Sequence, residues 1–134
     1  MGKIVVFLDR VSHLVDADII GTTDPYVKFH LEQDNAIFDK NYGKKTSTKK
    51  KGDQNPVYGE TFEFDNVDSL KNLVLWVKVM DDDIGVGNDD KLGSCKINLA
   101  DLGLSSEPMD VDRVVDRNLI GKNGRIYLKI SWHE

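Results

Sequence analysis

Residues 25–33, PYVKFHLEQ, alternate between two kinds of side chain, and this short pattern indicates the class of fold. Val27, Phe29 and Leu31 fall on one side of an extended chain, whereas the residues between them are charged or have a polar tip. A strand with this pattern packs one face on a core and turns the other face to water. The stretch is therefore predicted to be a half-buried β-strand.

Similar stretches follow one another along the whole chain. Two of them, 3–10 and 72–80, are apolar on both faces for part of their length, which is typical of strands in the middle of a sheet. No stretch keeps a 3.6-residue apolar period over three turns, and 101–106 is predicted to form at most one helical turn. The pattern predicts an all-β fold, an eight-stranded antiparallel β-sandwich. The remaining strands are expected near 44–51, 60–66, 92–99, 111–117 and 124–133.

Size and composition limit the classes of protein to consider. With 134 residues, 40% of them hydrophobic and 31% charged, the chain is predicted to be one domain, 1–134. Its apolar runs are shorter than a membrane span. A net charge of −5 argues against a nucleic-acid partner, and a single cysteine fits a cytoplasmic setting. We expect a monomer.

Strand parity predicts where the connections meet. If neighbouring strands alternate in direction, the connections 11–24, 52–57 and 81–91 lie at the same end of the sandwich. All three contain aspartates, and the last contains five within the ten positions from Asp81 to Asp90. Acidic side chains that are far apart in sequence are therefore expected to meet at one end.

So many carboxylates at one end repel one another unless a cation neutralises them. Two carboxylates about 4 Å apart repel by ~1 kcal/mol in water and ~4 kcal/mol at an effective dielectric constant of 20. Calcium takes six to eight oxygen ligands and tolerates irregular loops, whereas magnesium requires a strict octahedron and zinc prefers nitrogen and sulfur. Asp81 and Asp83 point to the same side at the exit of a strand, and Asp82 offers only its carbonyl there. The pattern favours a calcium site.

Three segments of the sequence resemble a known family. ADIIGTTDPYVKFH (17–30), NPVYGETFEFD (55–65) and VMDDDIGVGNDDKLGS (79–94) are similar, in this order, to the signature segments of the C2 domain. The resemblance implies a Greek-key β-sandwich with three calcium-binding loops at one end. Because the strand from Lys3 leads directly into the first loop, the chain resembles the permuted, phospholipase-type form of the family.

The same resemblance implies a set of calcium ligands. In the first loop they are Asp18 and Asp24. In the third loop they are Asp81, Asp83 and a final aspartate, which is Asp90 in the frame D-x-x-G and Asp89 by the usual interval; we favour Asp90. Asp82 is expected to contribute its backbone carbonyl as a further ligand. Two or more calcium ions are expected in this set.

The family resemblance also implies a membrane partner. Calcium is expected to connect the acidic loops to anionic lipids, phosphatidylserine and phosphoinositides, so that the cytoplasmic protein associates peripherally with membranes when calcium rises. Apolar residues at the loop tips are predicted to insert into the lipid interface. These residues are Ile19, Ile20, Ile84 and Val86.

A run of lysines provides a second expected contact with lipid. Residues 44–51 contain five lysines on a predicted strand, and Lys28 lies on the outward face of the strand before it. The run resembles the family's lysine-rich strand that binds phosphoinositide headgroups, although Ser47 stands where a second lysine often lies. The expected headgroup ligands are Tyr26, Lys28, Lys44, Lys45 and Lys49.

Catalysis is not expected. The sequence has no G-x-S-x-G nucleophile elbow, and Gly43-Lys44-Lys45 lacks the residues that complete a phosphate loop. The alternative to a calcium-dependent lipid-binding module is a calcium-independent C2 domain that binds a protein partner or serves as a scaffold. Aspartate at all five ligand positions favours calcium.

Overall fold

The structure is a computed structural model that describes residues 1–14, 24–51, 54–82, 90–117 and 123–134. Within these ranges the chain forms eight strands and a single turn of 3-10 helix at Leu99–Asp101, which overlaps the helical turn predicted at 101–106 only at Asp101. The strands are β1 (Gly2–Ser12), β2 (Pro25–Gln33), β3 (Lys40–Thr46), β4 (Val57–Val67), β5 (Leu73–Asp81), β6 (Asp90–Asn98), β7 (Met109–Val115) and β8 (Gly124–His133).

The strands form two four-stranded antiparallel sheets, so the predicted sandwich is confirmed. One sheet has the order β4-β1-β8-β7 and the other has the order β3-β2-β5-β6. The last strand, β8, pairs along β1, and β1 itself leads into the 13–24 connection. This order agrees with the permuted form that the sequence resembles.

The core lies between the two sheets and is built from the alternating residues. Val27, Phe29 and Leu31 of β2 are fully buried, as their spacing predicts. Phe29 also contacts the ring of Phe62 on β4, with the ring centroids 5.3 Å apart. The apolar side chains of both sheets therefore interdigitate in one layer.

The strands that are apolar on both faces do lie in the middle of their sheets, β1 between β4 and β8 and β5 between β2 and β6. Their outer faces, however, are not covered by a second layer of the described residues. Val5 and Phe7 are half-buried, and Trp76 is 39% exposed. The Lys96 ammonium lies over the Trp76 ring, 5.1 Å from its centroid. In the described part of the chain, no helix has the length and apolar character needed to cross a membrane.

The run of lysines at 44–51 is predicted to be one strand, but the strand ends within it. β3 ends at Thr46, and the next residue, Ser47, is buried. Its hydroxyl accepts the N–H of Val27 at 2.8 Å and donates to the carbonyl of Thr48 at 2.9 Å. A side chain thus replaces a backbone partner, which ends the ladder. Lys49, Lys50 and Lys51 follow in the connection to β4.

Candidate calcium site and basic face

Four connections begin and end at one end of the sandwich, where β1, β3, β5 and β7 end and β2, β4, β6 and β8 begin: 13–24, 47–56, 82–89 and 116–123. Backbone hydrogen bonds join the described parts of the first three. The Leu14 N–H donates to the Gln54 carbonyl at 2.9 Å, and the Asp82 N–H donates to the Asp24 carbonyl at 3.2 Å. The connections expected from strand parity to meet are brought together here.

His13 shows how tightly the first connection is held. Its backbone is in the left-handed region, with φ at 56°, and its N–H donates to the side-chain oxygen of Asn55 at 2.8 Å. The end of β1 is therefore attached to the segment just before β4. Asn55 begins the segment 55–65, but no sequence pattern predicts that its side chain contacts His13, which is 42 positions away.

Three of the predicted calcium ligands lie at this end of the sandwich: Asp24, Asp81 and Asp90. Asp81 is the last residue of β5 and is 1% exposed, and its Oδ1 accepts the N–H of Asp24 at 2.8 Å. Asp90, the first residue of β6, is exposed and lies directly opposite Asp81 in the ladder. Like charges at opposite positions destabilise a sheet. Their donor atoms are all oxygens, which fits a calcium ion.

Asp82 is directed differently from its neighbour. Its carboxylate lies 3.1 Å from the Lys49 ammonium, and only 17% of the side chain is exposed. The carboxylate of Asp82 is therefore paired with a lysine, whereas that of Asp81 accepts the N–H of Asp24. We use the name acidic end for Asp24, Asp81, Asp82 and Asp90.

Several predicted residues lie outside the described ranges. Among the expected calcium ligands these are Asp18, Asp83 and Asp89. All of the expected insertion residues also lie there: Ile19, Ile20, Ile84 and Val86.

A separate group of acids lies at the other end of the sandwich. Glu32, Asp34 and Asp39 each place a carboxylate oxygen within 4.8 Å of the others. Partial desolvation, and then a hydrogen bond with Asp34, raise the pKa of Glu32. This group lies where β2 passes into β3, away from the acidic end, and the sequence analysis did not predict it.

The lysines of β2 and β3 do not all share one face. Lys28 and Lys44 lie on the outer face of the sheet, where they line a cavity of about 590 Å³. Lys45 pairs with the inward-facing Phe29 and lies beside Thr61 and Glu63 of β4. Of the expected headgroup ligands, Lys45 is therefore on the other side of β3.

The outer cavity includes residues that the sequence analysis missed. Trp76, Lys78 and Met80 of β5 line it together with Lys28 and Lys44. These three residues lie two positions apart along β5, so the sequence could show that they share a face. Only the pairing of β5 with β2 places that face beside Lys28. We use the name basic face for Lys28, Lys44, Trp76, Lys78 and Met80.

Tyr26 lies between the basic face and the acidic end. Tyr26 is only 5% exposed, and the ammonium groups of Lys28 and Lys49 lie 5.9 and 5.6 Å from the centroid of its ring. These are the distances of cation–π contacts. Tyr26, Lys28 and Lys49 therefore lie together, and Lys44 lines the outer cavity with Lys28.

Comparison with known proteins gives consistent matches. The family model described as "C2 domain" matches residues 2–119. Synaptotagmin-1 from Homo sapiens and synaptotagmin-A from Diplobatis ommata are each 36% identical over 93 residues, which cover 69% of this chain and 21% of the relative. The chain spans about a fifth of the length of these curated relatives.

Solved structures agree with the fold. A C2 domain of plant extended synaptotagmin 1 superposes with a TM-score of 0.81 and 26% identity, covering 98% of this chain and 94% of that one. Human GIVD cytosolic phospholipase A2 has a TM-score of 0.77 at 20% identity. That match covers 99% of this chain but 17% of the phospholipase, and it supports the fold alone.

Proposed function

Because this chain belongs to the C2-domain family, we propose that it is a calcium-dependent module that binds anionic membranes peripherally. Calcium and phospholipid binding are typical of the family. The observation that favours calcium most is the buried Asp81, which is bonded to the backbone of Asp24 and lies opposite Asp90. The proposed role is binding, without catalysis.

The proposed calcium ligands are the carboxylates of Asp18, Asp24, Asp81, Asp83 and Asp90. Asp89 is the alternative to Asp90, and Asp82 contributes its carbonyl. Bound calcium supplies positive charge that offsets the repulsion among these aspartates. The chain contributes the positions of the ligands: the Asp24–Asp81 hydrogen bond joins the first and third loops, and β5–β6 pairing fixes Asp90.

Membrane attraction follows from the charge of the acidic end. Without a cation, its aspartates are repelled by a leaflet that contains anionic lipids such as phosphatidylserine. Neutralising them removes this repulsion, and no rearrangement of the sheets is required. Ile19, Ile20, Ile84 and Val86 are proposed to insert at the interface, with a gain of ~25 cal/mol for each Å² of apolar surface removed from water.

The basic face is proposed to bind phosphoinositide headgroups. Lys28, Lys44 and Lys78 surround a cavity that also contains the exposed Trp76, and Lys49 lies beside it on Tyr26. Each basic residue near an anionic surface contributes ~1 kcal/mol of attraction. The protein is proposed to remain in the cytoplasm at resting calcium and to move to membranes when calcium rises.

A thermal unfolding series tests the calcium part of this proposal. A ligand that binds only the folded protein stabilises it by RT ln(1 + [L]/Kd), which is about 2.7 kcal/mol at a hundredfold excess over Kd. We expect the melting temperature to rise with CaCl2 relative to EGTA, and Asp81→Asn to lose most of this rise. An unchanged melting temperature at millimolar calcium would favour a calcium-independent protein-interaction domain.

Vesicle sedimentation tests the basic face. The Lys28→Gln/Lys44→Gln variant should lose about 2 kcal/mol of attraction to phosphoinositide vesicles, or about thirtyfold in affinity. Lys45→Gln/Lys71→Gln removes the same charge from the far side of β3 and from the 68–72 connection, and serves as the matched control. Equal losses in both variants would show that only net charge matters.

A further inference from the structure

Lys49 has two neighbours that belong to different surfaces. Its ammonium lies 3.1 Å from the carboxylate of Asp82 in the acidic end, and 5.6 Å from the ring of Tyr26 beside the basic face. The residue follows the end of β3, in the connection that contains the buried Ser47. A positive charge thus contacts a residue whose carbonyl is proposed to bind calcium.

The acid of the Lys49–Asp82 pair is more buried than the acids of the other ion pairs of the described residues, whereas Lys49 itself is 55% exposed. The Asp82 side chain is 17% exposed, whereas the acids of the other pairs are 41–82% exposed. Solvent and salt screen a covered pair less than an exposed one. The carboxylate of Asp82 is therefore less screened by solvent than the acids of these surface pairs.

The backbone holds both partners in place. The Thr48 N–H donates to the Glu60 carboxylate at 3.2 Å, and the Lys50 N–H donates to the Pro25 carbonyl at 3.0 Å. On the other side, Asp82 follows Asp81 in the chain and donates its own N–H to the Asp24 carbonyl. Lys49 is therefore positioned by hydrogen bonds on both sides of it in sequence, and Asp82 is fixed to the proposed ligands.

We propose that Lys49 is an internal counter-ion of the acidic end, which competes with calcium and sets the calcium concentration at which the site fills. The inference rests on the proposed calcium binding. In the calcium-free protein, the charge of Lys49 offsets part of the repulsion among the aspartates. The same charge opposes a divalent cation that binds to them. One residue thus stabilises the calcium-free protein and weakens its affinity for calcium.

Two opposite changes are expected when this charge is removed. Lys49→Gln should bind calcium about three- to tenfold more tightly, the range for removing one unit charge near a divalent ion in a water-like dielectric. In EGTA the same variant should melt at a lower temperature than the wild type. Lys49→Arg keeps the charge and should change neither quantity by much. Lys71→Gln, at the other end of the sandwich, is the control for net charge.

A double-mutant cycle tests the contact itself. Asp82→Asn removes the carboxylate that holds Lys49, so Lys49→Gln should change calcium affinity less in the Asp82→Asn background than in the wild type. Isothermal titration with CaCl2 gives the four affinities, and thermal unfolding in EGTA gives the four stabilities. Equal effects of Lys49→Gln in both backgrounds would show that Asp82 does not position Lys49, contrary to the proposal.

The outcomes separate the two proposals. If the wild type binds calcium and Lys49→Gln binds it with unchanged or weaker affinity, the counter-ion role is overturned and calcium binding stands. If the wild type shows no calcium binding at millimolar concentration, the proposed function is overturned, and the counter-ion role with it. Tighter calcium binding in Lys49→Gln but not in Lys71→Gln would support both.

Discussion

Replacing Ser47 by alanine removes a single hydroxyl group, but it should destabilise the protein more than the loss of an exposed hydroxyl does. The carbonyl of Val27 accepts the Ser47 N–H at 2.8 Å, so in an antiparallel ladder the N–H of Val27 points to the same side. That N–H donates to the Ser47 hydroxyl at 2.8 Å, in a buried position. Ser47→Ala leaves this donor without its partner, which costs about 1–3 kcal/mol.

The expected shift in melting temperature follows from the size of the chain. At about 2.1 cal/mol/K of unfolding entropy per residue, 134 residues give about 0.28 kcal/mol/K. A loss of about 2 kcal/mol then lowers the melting temperature by about 7 °C. Urea unfolding should show the same loss with an unchanged slope, because the surface exposed on unfolding does not change.

A control and a larger substitution sharpen this experiment. Ser105→Ala removes a hydroxyl that accepts the Glu107 N–H on an exposed turn, and it should cost less than about 0.5 kcal/mol. Ser47→Lys, the residue type that often occupies this position in the family, should cost more than alanine because the site is 6% exposed. If Ser47→Ala matches Ser105→Ala in stability, the reasoning about the Val27 N–H is refuted.

Three further outcomes are expected. Burial raises the pKa of the Cys95 thiol to about 11, so a thiol reagent at a pH of about 8 should label folded Cys95 far more slowly than the unfolded chain; equal rates would contradict this. Gly93→Ala should lower stability by about 1–3 kcal/mol in urea unfolding, because the added Cβ would lie 2.6 Å from the Val115 carbonyl oxygen, and a neutral effect would show that the backbone yields. Trp76 emission should shift to the blue on phosphoinositide vesicles, and Trp76→Phe should abolish the shift; a shift that survives would come from Trp132.

The sequence predicted the parts of the fold that depend on local alternation. Val27 and Phe29 lie in the core because residues two positions apart share one face of a strand, and the alternating apolar residues of β8 are buried in the same way. The end of β3 within the run of lysines could not be predicted, because it depends on a hydrogen bond between Val27 and the Ser47 side chain that no local pattern shows. The face on which Lys45 lies depends on the pairing of β3 with β2.

For the candidate site, the sequence could predict which connections meet but not which side chains pair. Strand parity was enough to bring Asp24 and Asp81 to the same end of the sandwich. The partner of Asp82 could not be predicted, because Lys49 is 33 positions away and reaches it only through tertiary structure. Lys78 was missed for the same reason, since its place beside Lys28 comes from the pairing of β5 with β2.

The position of β3 at the edge of its sheet has a consequence for solubility. Its outer backbone groups have no neighbour among the described strands of that sheet, and such an edge can pair with another chain. Lys40, Lys44 and Lys45 are exposed along this strand, and the pairing with β2 shifts register between Leu31 and Glu32. Charges and irregular pairing both discourage association between edges. Of these three lysines, Lys44 is also proposed to contact lipid, so its charge is expected both to attract headgroups and to discourage pairing of this edge with another chain.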